Sequence, residues 1–197
     1  MKTHFMKLLV VGLAMMAPVL TSCQSAATRF FTLYPVAPRS TPRPYQGPEV
    51  RVDAVHIPPS LDRMEIVGDV AAGELEISDL EHWSASLGQM ARQTLSADLA
   101  ARMPAGRLIF PHLPKPEGAM GISVDVLNFN AAHDDADLDA SWVFTSADSA
   151  RTCGGGTASL QTHRSTVGAA AIVRGWSALL AQLADRIVAT LAELPPC

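Results

Sequence analysis

The chain has 197 residues, 48% of them hydrophobic and 6% aromatic, too apolar for a disordered tail and long enough for one domain with a proper core. With 15 basic against 19 acidic residues its formal charge is −4, the reverse of the basic footprint of a nucleic-acid binder. No nucleic-acid partner is expected.

Lys2 and Lys7 accompany an apolar run from Leu8 to Leu20, which leads into Thr21-Ser22-Cys23. A positive stretch followed by a short apolar one is the pattern of a signal peptide. The run is shorter than the ~20 residues that cross a bilayer. A cysteine directly after Leu-x-Ser is the cleavage and lipidation site of a bacterial lipoprotein, so residues 1–22 read as signal peptide and 23–197 as the mature domain. Losing Lys2 and Lys7 takes the charge from −4 to −6. Acyl chains on Cys23 would anchor the domain to membrane lipid, each buried CH2 contributing ~0.8 kcal/mol. By similarity to the sorting rule of bacterial lipoproteins, Gln24 in place of aspartate points to the outer membrane, with the body facing the periplasm. Cys153 and Cys197 then remain as one pair in an oxidising compartment, where a disulfide stands against two separate thiols.

Arg29 to Pro35 is aromatic and β-prone, and Pro35, Pro38, Pro42, Pro44 and Pro48 predict an extended loop. Val50 to Ile57 alternates as a strand and is stopped by Pro58-Pro59; short strands are predicted at Met64–Val67 and Glu74–Ile77. Ser78 and Glu81 have the spacing of a capping box, so a helix is expected to follow at once, with Trp83, Leu87, Met90, Ala91, Leu95 and Leu99 on its apolar stripe. A brief strand at Arg107–Phe110 precedes two alternating strands, one carrying Ile122, Val124 and Val126, the other Leu138, Ala140, Trp142 and Phe144. The polar turn Ala131–Asp137 between them predicts an antiparallel hairpin. The triple glycine 154–156 reads as a second loop before a strand at Ala158–Ser165. An apolar stripe from Ile172 to Leu191 predicts a helix over about Val167–Glu193. Two main amphipathic helices against five or six partly antiparallel strands make a layered α/β domain, with the helices covering a mixed β-sheet.

Chemistry-bearing patterns are few. The run His133-Asp134-Asp135-Ala136-Asp137 lacks the glycine and distal glutamate of a calcium loop and reads as a solvated turn. The glycines are followed by no Lys-Ser/Thr, so a turn is favoured over a phosphate loop. There is no Gly-x-Ser-x-Gly elbow, and Cys153 has no histidine partner in sequence, although pairing with His163 in space stays open. No catalytic residue, metal or cofactor is assigned. Asp62 and Arg63, in a turn between strands, are either a structural ion pair or a partner contact. Trp83, Trp142 and Trp176 fall in phase with the apolar pattern and are expected in the core.

The stretch IPPSLDRMEIV at Ile57–Val67 resembles the signature of the ABC-type transport auxiliary lipoproteins, the PqiC-like group. FFTLYP at Phe30–Pro35, Trp83, VDVLNF at Val124–Phe129, LDASW at Leu138–Trp142 and the last helix agree in order and spacing. Ser60 and Met64-Glu65 depart from its usual pattern. The resemblance implies one three-layer domain like the anticodon-binding type. It also implies a non-enzymatic, outer-membrane accessory of an intermembrane lipid transport system, working with a periplasmic MCE-domain protein and an inner-membrane permease complex. A ring-forming precedent in the family implies a homo-oligomer, to which the residues themselves add nothing. The second reading is a periplasmic lipid- or glycan-binding lipoprotein with an apolar pocket.

Overall fold

The computed structural model describes residues 26–39, 45–71, 74–131, 135–148, 151–163 and 166–195. In chain order these form β1 (Arg29–Phe31), β2 (Val50–His56), β3 (Glu65–Ala71), β4 (Glu74–Trp83), α1 (Leu87–Arg102), β5 (Leu108–Ile109), β6 (Met120–Asn130), β7 (Asp135–Thr145), β8 (Thr152–His163) and α2 (Ala169–Glu193). The expected mixed α/β domain with two main helices is what the chain builds. Its strands divide into a five-stranded sheet, β5-β2-β6-β7-β8, and a three-stranded one, β1-β4-β3.

In the larger sheet β2 runs parallel to β5 and β6, and β6, β7 and β8 form an antiparallel meander. Parallel neighbours need a crossover, which α1 supplies between β2 and β6. The predicted hairpin is present, with Ile122 opposite Phe144 and Val124 opposite Trp142. Alternation along β7 buries Ala136, Leu138, Ala140, Trp142 and Phe144 and leaves the other side half-exposed or exposed. Both helices pack on the buried side and against each other. α1 buries Leu87, Met90, Ala91, Leu95 and Leu99 at helical spacing. α2 is buried more widely, because Trp176 stacks on Phe129 of β6 at 4.0 Å and on Trp83 of β4 at 5.6 Å. The small sheet thus lies across the first half of α2, where Gly68 faces Ile172.

Two local expectations are corrected. Ser78 and Glu81 do not cap a helix: β4 continues to Trp83, because β1 pairs along it from Arg29↔Glu81 to Phe31↔Trp83. The N-cap is Ser86, whose side chain accepts from the Gln89 N–H. The glycines 154–156 lie inside β8 rather than in a loop, paired with Phe144, Val143 and Trp142. A Cβ on Gly156 would sit 2.6 Å from Trp142 Cζ2, so the missing side chain is what lets the indole lie against the strand. His133 and Asp134 lie outside the described residues.

Candidate functional site at the N-terminal chain

After β1 the chain does not leave the body but runs across the two helices. The Thr32 hydroxyl reaches Met90 Sδ, and the Tyr34 N–H donates to Ser177 Oγ at 3.3 Å. At Val36 the grip tightens. Its N–H donates to Asp98 Oδ1 at 2.8 Å, and its carbonyl accepts from Arg102 Nη1 at 3.2 Å. Both backbone groups of one residue are therefore held by two side chains one turn apart on α1.

Asp98 and Arg102 are buried in the helix interface. Arg102 also donates to the Asp98 side chain at 3.4 Å and, through Nε, to Asp185 Oδ1 of α2 at 2.7 Å. The second carboxylate oxygen of Asp98, Oδ2, is buried without a hydrogen-bond partner. Burial pushes the Asp98 carboxyl up to about 6, against the opposing pull of the Val36 N–H and the Arg102 charge. A buried ion pair of this kind is weak evidence for stability alone, since desolvation offsets much of the attraction. What it does here is geometric: it joins α1, α2 and the chain that leads back toward Cys23.

The residues singled out in the sequence are dispersed. Asp62 does not pair with Arg63. Its Oδ1 accepts from Ser86 Oγ and the Gly88 N–H, both at 3.3 Å, at the start of α1. Arg63 binds Glu65 at 2.8 Å and holds that carboxyl below its ordinary value. Cys153 and His163 lie at opposite ends of β8, and His163 pairs with Asp135. Cys153 is disulfide-bonded. Cys23 and Cys197 lie outside the described residues. Asp98 and Arg102 were not legible as a site, although an acidic side chain in phase with Ala91, Leu95 and Leu99 is a signal that could have marked one.

At the far end of the sheet lies an open cleft of about 860 Å³, lined by Tyr45, Met120, Leu191 and Leu194, with Ser146 and Arg151 also in its wall. Burial raises the Tyr45 hydroxyl above its ordinary pKa, and that hydroxyl donates to the Pro48 carbonyl at 2.9 Å.

The model of the family described as "ABC-type transport auxiliary lipoprotein component" matches residues 31–188, which takes in the clamp, both sheets and most of α2. No curated protein matches the sequence. Among solved structures, an uncharacterised protein superposes with a TM-score of 0.67 at 16% identity, over 84% of this chain and 99% of that one. A Xanthomonas campestris protein of the DUF330 family gives 0.64 at 14% identity, over 85% and 95%. At such identities the likeness is one of fold.

Proposed function

Since the chain belongs to the family of ABC-type transport auxiliary lipoprotein components, we propose that it is a non-enzymatic lipoprotein, anchored through acylated Cys23 to the outer membrane and facing the periplasm. There it docks the conduit of an MCE-type lipid transport system whose permease sits in the inner membrane. The observation that carries this reading is the clamp. The chain that follows β1 is fixed to Asp98 and Arg102 of α1 and, through the Arg102–Asp185 pair, to α2, so pull arriving at β1 is transmitted to the core.

Affinity isolation of the lipidated protein from membranes tests the assignment. An MCE-domain protein or permease subunit should co-isolate, and Cys23→Ser should leave a folded domain that fails to support envelope integrity. A fully active soluble Cys23→Ser variant would refute the anchor's role. The cleft beside Tyr45 and Leu194 favours a second reading, in which the domain itself holds a lipid or glycan. Lipid recovered by mass spectrometry from detergent-free Cys23→Ser protein would support it. The Cys153–Cys197 disulfide also stays a proposal, supported by the place of Leu194, whose Cδ1 lies 2.5 Å from where a Gly154 Cβ would be.

A further inference from the structure

The three-stranded sheet has an outer face on which several large apolar side chains stay exposed. Register decides which side chains lie there. Ile66 points into the core, so Val67 points out. Val67 pairs with Ile77 and Glu65 with His82, while Phe30 of β1 also pairs with His82 and meets its ring edge-on at 5.9 Å. Alternation places Leu75 beside Ile77 and Leu80 beside His82 on the same side. Phe30 is 64% exposed and Leu75, Ile77 and Leu80 are each exposed, yet Val67 beneath them is only 3% exposed. This is a contiguous apolar strip.

We infer that this face rests in the membrane interface, its apolar side chains seated against the lipid to which Cys23 is attached. The inference deepens the anchoring reading and rests on it. The length of the tether chooses lipid over other occupants: Cys23 precedes Arg29 by six residues, which at full extension spans at most ~20 Å. Phe30 is thus among the first side chains after the anchor, and Thr32 to Val36 are bound to the helices, so the tether ends no further along the chain than β1. The small sheet is the part of the fold held nearest the bilayer. An apolar strip held this close to the anchor suits the headgroup layer, with the sheet lying on the surface as an interfacial element does.

Tryptophan quenching tests it, because Trp83, Trp142 and Trp176 are all buried and give a constant emission that brominated chains do not reach. Mature acylated protein would be reconstituted into phosphatidylcholine vesicles with brominated acyl chains and recovered by flotation. Ile77→Trp and Leu80→Trp should each lose fluorescence relative to unbrominated vesicles. Leu113→Trp should not, because Leu113 accepts from Arg51 near the opposite end of the large sheet. No loss at positions 77 and 80 in protein that floats with the vesicles would overturn the inference while sparing the anchor. Equal loss at all three positions would also overturn it, since the body would then lie in no fixed orientation. Crosslinking from position 77 to a second copy or to a protein partner, in place of quenching, would assign the face to that occupant. Protein that does not float at all would defeat the anchoring reading first, and the inference with it.

Discussion

Asp98 links the fold to pH. Its carboxyl is held at about 6 in the folded chain, above the ordinary value of 3.8. Between those values the folded state keeps a proton that the unfolded state has lost, so stability falls as pH rises through this window and levels off above it. The full difference is on the order of 3 kcal/mol. Asp98→Asn keeps an acceptor for the Val36 N–H and cannot ionise, so its urea midpoint should be nearly flat between pH 4 and pH 7 where the parent's declines. Asp98→Ala removes the acceptor and one partner of Arg102, with an expected cost of ~3–5 kcal/mol and faster hydrogen exchange at Val36. Asp62 acts by another route. As an anion at the start of α1 that accepts from the Gly88 N–H, it should cost about 1 kcal/mol when changed to alanine. Arg63→Ala, which loses an exposed pair, should cost less in the same denaturation experiment.

Among elements, β8 is built around absence. Three consecutive glycines weaken a strand by entropy and would be expected in a turn. Here they accommodate Trp142 and its backbone on β7. Gly156→Ala should therefore destabilise by ~1–3 kcal/mol through overpacking, and Trp142→Leu should relieve part of that cost in a double-mutant cycle. β4 shows the complementary effect. The Ser78 hydroxyl does donate to the Glu81 carboxylate, at 3.5 Å, but in a capping box each side chain would meet the other's backbone N–H. The contact instead lies in a break of the β3–β4 register, between Ile77 and His82. A local signal worth about 1 kcal/mol loses to pairing with strands on both sides.

Across the whole molecule, the N-terminal chain, the two helices and the large sheet are stacked in that order, so the segments near both ends of the described chain are tied to one core. The C-terminal tie is the proposed Cys153–Cys197 bond. Non-reducing mass analysis should find the pair oxidised, and Cys197→Ser or reduction should lower stability by ~2–4 kcal/mol. An unchanged midpoint on reduction would show that the end of α2 is held by packing alone. Trp176 is the corresponding tie in the interior, between Phe129 and Trp83. Trp176→Ala should cost ~3–5 kcal/mol and loosen the small sheet first, seen as early exchange of β4 amides.

Periodicity alone determined the element types over most of the chain: the stripe from Ile172 to Leu191, the alternation in β2, β6 and β7, and the three tryptophans in the core. The motif at Ile57–Val67 was legible because it is contiguous. What only the tertiary structure decided are the features whose partners are far apart in sequence: Phe31 drawing Trp83 into a strand, Trp142 against the glycines, and Val36 held by Asp98 and Arg102, more than sixty residues away. Local spacing encodes a side chain's period and its preference for water. It does not encode which distant backbone group will meet that side chain once water is excluded, and at Asp98 that meeting turns a misplaced charge into a clamp.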